Sequence, residues 1–224
     1  MRQTNRRDFL QTIAAATTVG TITGATRTHA LGPNDQVRMA ILGAGGRGGQ
    51  IASAINKVSQ TRVVAVADPD QSRASKLAKK YDAAAYSDLR EVLDNDDVDA
   101  VAITTCNHWH CLATLWAMDA GKDVYVEKPL SHSQWEGAKV VEASKQSGRI
   151  VQIGTQQRSD PMQAMAKEFL HQDKALGDIR YVIASRLGKR EPIGRRSHPL
   201  TIDPNIDYDL WCGPAAKQDL MRDK

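Results

Sequence analysis

The sequence predicts an α/β fold in which a doubly wound parallel sheet is covered by helices on both faces. From residue 37 to about residue 153, short apolar stretches alternate with amphipathic stretches of helical length. The 224-residue chain is 41% hydrophobic and 25% charged, which is typical of a globular protein with a sizeable core. Strands that alternate with helices build right-handed βαβ units, and such units place helices on both sides of a parallel sheet.

Six apolar stretches are predicted to be the strands. Several are continuous runs that contain β-branched residues, as expected of strands that are buried on both faces. They span residues 37–42, 62–67, 84–86, 100–104, 123–127 and 150–153.

Helices are predicted between the strands from the spacing of apolar residues and from capping residues. Ser133 and Glu136 have the spacing of a capping box, Ser87 is placed to cap a short helix, and Gly121 and Gly148 follow helix ends. The predicted helices span residues 48–58, 72–81, 108–120 and 134–147, with a short helix after Ser87.

The pattern changes beyond residue 155. A helix is predicted at residues 161–171, a strand with one exposed face and an open edge at residues 178–187, and loops at residues 188–224. The predicted domains are therefore residues 36–155 and residues 156–224, the second being the incomplete start of another α/β domain.

The first 30 residues have the features of an export signal. Residues 5–11 (NRRDFLQ) resemble a twin-arginine motif, and a mildly apolar stretch that ends in small residues follows them. We therefore predict a signal peptide at residues 1–30, a linker at residues 31–35, and an exported, periplasmic protein without a membrane span after cleavage. A disordered basic tail is the alternative.

The charge distribution and the spacing of the Cys and His residues argue against binding of nucleic acid and of a metal ion. The net charge is +4, but the leader holds four arginines against one aspartate, so the remainder is nearly neutral and predicts no nucleic-acid partner. Residues 106–111 (CNHWHC) do not have the spacing of common zinc sites, and a helix from His108 would spread these side chains around its circumference. We predict no metal site.

A glycine-rich loop is the main functional motif. Residues 43–48 (GAGGRG) fit G-x-G-x-x-G directly after a predicted strand and at the start of a predicted helix. Such a loop brings backbone N–H groups and the positive end of a helix dipole to a diphosphate. An ordinary turn in a protein that binds no nucleotide is the alternative. The predicted cofactor-binding residues of the loop are Gly43, Gly45, Gly46, Arg47 and Gly48.

Asp68 is predicted to select the cofactor. It ends the second predicted strand, 20 residues after Gly48, where a carboxylate can accept hydrogen bonds from the ribose hydroxyls of adenosine and repel a 2′-phosphate. This favours NAD over NADP, although Arg47 or Arg73 would weaken the preference by reaching a phosphate. Capping of the next helix is the alternative role for Asp68. The sequence thus predicts a Rossmann-type NAD-binding domain.

Two further motifs carry a family resemblance. Residues 105–110 (TCNHWH) follow the fourth predicted strand, and residues 121–129 (GKDVYVEKP) end the fifth. They resemble the T-P-N-x-x-H and G-K-x-V-x-x-E-K-P motifs of the Gfo/Idh/MocA family of glucose–fructose oxidoreductases and inositol dehydrogenases, with Cys106 in place of the proline. The resemblance covers roughly residues 36–215, and residues 154–159 (GTQQRS) and 209–214 (DLWCGP) look like the exported branch.

The resemblance implies hydride transfer between nicotinamide and a sugar, cyclitol or related polyol substrate. It implies that Lys128 is the catalytic residue, because a lysine there can bond the reacting oxygen and help to move its proton. Read from the sequence alone, Lys128 already ends a parallel strand, where ligands bind in such sheets; a surface ion pair with Glu127 or Glu136 is the alternative. The further cofactor contacts that the resemblance implies come from Thr105, Asn107, His110, Glu127, Lys128 and Pro129.

Three of the candidate residues have a second interpretation. Asn107 can cap a helix, His110 can be a packed or solvated histidine, and Arg158 faces either the substrate or a surface ion-pair partner.

The predicted function is that of an exported NAD-dependent oxidoreductase acting on a polyol. A glycosidase that uses NAD on the same fold and a nucleotide-binding module without catalysis are the alternatives. The family's second active-site cluster, an Asp and a His on one helix, has no match before Lys224, so the resemblance implies a C-terminally truncated second domain. A complete second domain would allow homo-oligomers.

Overall fold

The computed structural model describes residues 36–185, 188 and 191–223. The predicted signal peptide at residues 1–30 and the linker at residues 31–35 lie outside the described residues. Within the described part of the chain, no helix has both the length and the apolar character needed to cross a membrane.

Six parallel strands form one sheet, as predicted. Their order is β3-β2-β1-β4-β5-β6, and every neighbouring pair is parallel. The strands are β1 (Val37–Leu42), β2 (Thr61–Ala67), β3 (Ala84–Tyr86), β4 (Ala100–Ile103), β5 (Asp123–Glu127) and β6 (Val151–Gly154).

Helices connect the strands, and their ends follow from local side-chain chemistry. The capping box of Ser133 and Glu136 forms as predicted, whereas the short helix after β3 is capped by Asp88 and not by Ser87, because the Asp88 carboxylate accepts a hydrogen bond from the N–H of Arg90. The helices are α1 (Gly46–Ile55), α2 (Gln71–Tyr81), α3 (Leu89–Leu93), α4 (Asn107–Asp119), α5 (Gln134–Ser147), α6 (Pro161–Lys167) and α7 (Tyr208–Cys212).

Both faces of the sheet are buried at its centre, in β1, β2 and β4. Successive residues of a strand point to opposite faces, and Ile41 and Leu42 of β1 are each fully buried in a different apolar cluster. One cluster includes Val66 of β2 under α1 and α2, and the other includes Val101 of β4 under α4 and α5. The continuous apolar sequence of these strands is therefore explained by their burial on both faces of a doubly wound sheet.

The strand order reverses between β1 and β4. The chain leaves β1 toward β2 and β3 on one side, and it returns to β4, β5 and β6 on the other. Connections on the two sides diverge at this point and leave a crevice at the carboxyl ends of β1 and β4, which is where doubly wound sheets bind nucleotides.

The prediction for the C-terminal part is wrong in two places. Residues 178–185 form no strand, and Tyr181, Val182 and Ile183 are largely exposed. A strand needs a neighbour for its backbone hydrogen bonds, and the described residues provide none here. The region predicted as loops contains α7, in which Asp207 accepts a hydrogen bond from the N–H of Leu210.

The predicted helix at residues 161–171 is present. It consists of α6 followed by one wider helical turn at Glu168–Gln172, and Asp160 caps it by accepting from the N–H of Met162.

Candidate functional site

Two glycines of the loop between β1 and α1 are required by the backbone. Gly43 has φ of 99°, and a Cβ atom there would lie 2.7 Å from the backbone carbon of Thr104. A Cβ atom on Gly48 would collide with the carbonyl oxygen of Gly43, so α1 can approach β1 and β4 only because this residue lacks a side chain. The first glycine of the motif therefore permits the turn that follows β1, and the last one allows α1 to pack closely on the sheet.

The middle of the same loop is open. A Cβ atom on Gly45 or Gly46 would meet no heavy atom within 4 Å, and α1 begins at Gly46. The first N–H groups of a helix have no partner within the helix, and the helix dipole makes this end attractive to anions. The loop thus offers backbone donors and free space in the same place, which is what a diphosphate requires.

Asp68 holds the loop from the end of β2. One carboxylate oxygen accepts a hydrogen bond from the N–H of Ala44 at 2.6 Å, and the other accepts from the N–H of Asp70 at 2.8 Å. Burial raises the pKa of Asp68, although both hydrogen bonds oppose this rise. Asp70 caps α2 by accepting from the N–H groups of Ser72 and Arg73, so the capping role considered for Asp68 belongs to Asp70.

A cavity of about 560 Å³ adjoins the loop and Asp68. Its volume is in the range of small-molecule and cofactor sites. Its walls are the loop, the ends of β2 and β4, the start of α3, and parts of residues 200–222. Thr105 lines this cavity, and its hydroxyl oxygen is buried without a hydrogen-bond partner among the described residues. An unpaired buried hydroxyl beside a cavity fits a site for a polar ligand.

Arg47 binds Glu127 across the carboxyl edge of the sheet. Its Nε and Nη2 atoms donate to one oxygen of Glu127 at 2.7 and 2.5 Å, and the hydroxyl of Tyr125 donates to the same oxygen at 2.9 Å. Burial raises the pKa of Glu127, but the hydrogen bonds from Arg47 and Tyr125 outweigh burial, so the net shift is downward. Arg47 therefore links the loop to the strand that leads to Lys128.

Removal of Arg47 is expected to lower the stability of the protein by an amount that depends on pH. In Arg47→Met the buried carboxylate of Glu127 loses its cation, so we expect the free energy of unfolding near neutral pH to fall by about 1–2 kcal/mol. This is less than for a fully buried pair, because the Arg47 side chain is 33% exposed and solvent screens its charge. The folded-state pKa of Glu127 is lowered, so the stabilisation is present above the unfolded pKa of about 4.3 and disappears as the pH falls through the folded value.

Urea unfolding of the two proteins without nucleotide, near neutral pH and at about pH 4, measures this difference. Arg62→Met is the matched control, because Arg62 is an exposed arginine of β2 without an ion pair in the part of the chain that the structure describes. A gap between Arg47→Met and the unmodified protein that stays constant with pH would contradict the role of Glu127.

Lys128 and Pro129 follow β5 and are exposed. Neither surface ion pair considered for Lys128 forms: Glu127 is bound to Arg47, and Glu136 accepts from the backbone N–H groups of His132 and Ser133. The peptide bond between Lys128 and Pro129 is cis. Lys128 is thus available at the carboxyl edge of the sheet, outside the residues that line the cavity.

His110 and Asn107 have different environments. His110 is 1% exposed, and its ring nitrogens lie 2.7 Å from the carbonyl oxygen of Pro129 and 3.1 Å from that of Thr105. This is the packed histidine considered as an alternative, and it joins the loops after β4 and β5. Asn107 is exposed as the first residue of α4, where Cys106 holds the cap position without a side-chain hydrogen bond, so Asn107 is not the cap.

The arginines near the cavity bear on the choice between NAD and NADP. Arg47 is bound to Glu127, and Nε of Arg73 lies 3.0 Å from a carboxylate oxygen of Asp70. Both cations that would weaken the preference for NAD are therefore paired with carboxylates, and Asp68 faces the same cavity. The charge pattern matches a cofactor without a 2′-phosphate.

Arg158 lies in a short turn of 3₁₀ helix, Gln156–Ser159, after β6. It is exposed and makes no ion pair with any described residue, so the surface pair considered for it does not form. Contact with a substrate stays a prediction. In the described residues, no group of three or more His, Cys, Asp or Glu side chains is placed to hold a metal ion.

Sequence reasoning missed one wall of the cavity. Residues 200–213, which we call the C-terminal segment, contribute Ile202, Tyr208 and Trp211 to the lining. A local signal existed, because Asp207 before an apolar stretch and Gly213 after it are a helix start and a helix stop. Nothing local, however, shows that this helix lies beside Asp68.

Comparison with known proteins gives consistent matches. A family model described as "Oxidoreductase family, NAD-binding Rossmann fold" (GFO_IDH_MocA) matches residues 37–155. The scyllo-inositol 2-dehydrogenase (NAD(+)) of Bacillus subtilis is 37% identical over 180 residues, which are 78% of this chain and 53% of that protein. The inositol 2-dehydrogenase of Rubrobacter xylanophilus is 35% identical over 139 residues, which are 61% of this chain and 40% of that protein.

A solved structure supports the same grouping. The NAD binding oxidoreductase from Klebsiella pneumoniae has a TM-score of 0.56 and 30% identity, and the match covers 65% of this chain and 40% of that one. The chain spans about half the length of the curated relatives that it matches.

Proposed function

This chain belongs to the Gfo/Idh/MocA family of oxidoreductases with an NAD-binding Rossmann fold, and we propose that it catalyses NAD-dependent oxidation of a hydroxyl group in a sugar, cyclitol or related polyol. The observation that carries the proposal is the open centre of the glycine loop at Gly45, directly beside the buried carboxylate of Asp68 and the cavity. Backbone donors for a diphosphate and an acceptor for ribose hydroxyls are adjacent there.

The residues fit NAD on chemical grounds. The N–H groups at the start of α1 would hold the diphosphate, Asp68 would accept from the adenosine ribose, and the unpaired hydroxyl of Thr105 would meet a polar group of the cofactor. Bound NAD supplies the hydride acceptor. Lys128, directly after β5, would accept a hydrogen bond from the reacting hydroxyl at Nζ and take up its proton. Glu127 and His110 would keep that loop in place.

The polyol substrate class is supported by the inositol dehydrogenases among the relatives. The test uses the full chain with NAD and a panel of inositols and sugar alcohols, and it follows NADH formation. We expect NADH to accumulate with at least one polyol. Release of a sugar from a glycoside without net NADH would indicate the glycosidase alternative, and absence of any reaction with NADH still bound would indicate a nucleotide-binding module.

Export is a further part of the proposal. It is supported by the pair Arg6 and Arg7 ahead of an apolar stretch, and a route that carries folded proteins suits an enzyme that takes up its nucleotide before leaving the cytoplasm. Changing both arginines to lysine is expected to retain the chain in the cytoplasmic fraction. Unchanged distribution between cell fractions would remove export from the proposal.

A further inference from the structure

The C-terminal segment is bound to the loop after β2 through backbone atoms. The N–H of Gln71 donates to the carbonyl of Asn205 at 3.0 Å, and the N–H of Asp207 donates to the carbonyl of Pro69 at 2.9 Å. Asp70 and Ile206 form an antiparallel bridge between these two contacts. Backbone atoms make these bonds, which leaves side chains of the segment free to face the cavity.

A second attachment fixes the segment to the start of α4. The indole nitrogen of Trp109 donates to the carbonyl of Leu210 at 3.1 Å, and Nε2 of His108 lies 2.9 Å from the carbonyl oxygen of Trp211. Gly213 packs against the ring of Trp109, where a Cβ atom would collide with it. The segment is therefore attached both to the loop after β2 and to the start of α4, on the two sides of the crevice at the carboxyl ends of β1 and β4.

The cavity side of this segment has the chemistry of an adenine site. Ile202, Ile206 and Leu210 line the cavity together with Tyr208 and Trp211, whose rings are stacked with centroids 5.8 Å apart. Apolar and aromatic surfaces of this kind pack against the face of a purine ring.

Two polar groups complete this end of the cavity. Asp68 faces the same cavity and can accept from ribose hydroxyls, so a purine attached to that ribose would lie near the apolar side chains. Arg222 also lines the cavity, and its Nε atom is buried without a hydrogen-bond partner among the described residues. A buried donor without a partner requires an acceptor, and the ring nitrogens of a purine are acceptors.

We propose that the C-terminal segment, together with Arg222, is the outer wall of the adenosine half of the cofactor site, with Ile202 against the base and Arg222 donating to it. This inference rests on the proposed NAD binding and extends it to residues beyond the family-matched region at residues 37–155. It makes the affinity for the adenosine half depend on residues 200–222, while the nicotinamide half depends on the ends of β4 and β5.

The experiment compares Ile202→Glu with Ile193→Glu in the full chain. Ile202→Glu places a carboxylate in the apolar wall, so its desolvation is expected to weaken binding of NADH and of ADP-ribose about tenfold or more. Binding of reduced nicotinamide mononucleotide, which lacks adenosine, should not change. Ile193 is an exposed isoleucine outside the cavity lining, so Ile193→Glu should bind all three ligands like the unmodified protein.

Titration calorimetry with a thermal unfolding control distinguishes the outcomes. Unchanged affinity of folded Ile202→Glu for ADP-ribose overturns the outer wall but leaves NAD binding intact. An unmodified chain that binds neither NADH nor ADP-ribose overturns both the proposed function and this inference. If Ile202→Glu does not fold, Arg222→Met decides: a several-fold loss of ADP-ribose affinity supports the proposal, and an unchanged affinity overturns it.

Discussion

Replacing Gly45 by valine is expected to weaken NADH binding by about 100-fold or more while the protein stays folded. The backbone of Gly45, with φ of −65° and ψ of −173°, is accessible to valine, and a Cβ atom there would meet no protein atom within 4 Å. The added side chain would instead occupy the space where a diphosphate approaches the N–H groups of α1. Loss of two hydrogen bonds to a charged ligand, each worth about 1.5–3 kcal/mol, accounts for the expected size.

Gly49→Val is the matched control for this prediction. Gly49 likewise has free space at its Cβ position, but it lies within α1 beyond the loop, and valine is a better helix former than glycine. Calorimetric titration with NADH and thermal unfolding of both variants are the measurements. Equal NADH affinity of the two valine variants would show that the diphosphate does not rest on this loop.

The parts of the fold that the sequence predicts correctly are those set by local rules. Apolar stretches of strand length, such as Ala100–Ile103, are buried on both faces whatever lies beside them. The capping box of Ser133 and Glu136 forms between residues three apart, and Gly48 packs against the carbonyl oxygen of Gly43, five residues earlier. These features need no knowledge of distant contacts.

The parts that were missed depend on distant contacts. Arg47 and Glu127 are 80 residues apart, so nothing near Arg47 shows that its guanidinium is used within the protein and not by a phosphate. The bridge between Asp70 and Ile206 joins even more distant residues and creates the outer wall of the cavity. The predicted strand at residues 178–187 shows the opposite case. Its residues alternate as in a strand, but the described part has no neighbouring strand to pair with.

The distinction between local features and distant contacts also applies to the candidate site. Asp68 was identified from its position at a strand end, but its hydrogen bond to Ala44 gives it a second role in fixing the loop. Substitution of Asp68 would therefore change both loop geometry and cofactor selection, and it is a poor test of either. Lys128 is a cleaner target, since it is exposed and forms no ion pair with the described residues.

Lys128→Met is expected to lower the rate of polyol-dependent NADH formation by about 100-fold or more, the usual contribution of a positioned proton-transfer group. The dissociation constant for NADH should stay within about twofold, because Lys128 does not line the cavity and the variant leaves the glycine loop unchanged. Stability should also be unchanged, since an exposed lysine without an ion pair contributes little.

Lys128→Arg separates charge from proton transfer. Arginine keeps the positive charge but does not release a proton in the accessible pH range, so it should restore little of the lost rate if Lys128 moves a proton. Lys145→Met, on the exposed surface of α5, is the control for removal of a lysine charge. Full activity in Lys128→Met would exclude proton transfer by this residue. Full rescue by arginine would instead mean that Lys128 acts by holding the reacting oxygen through its charge.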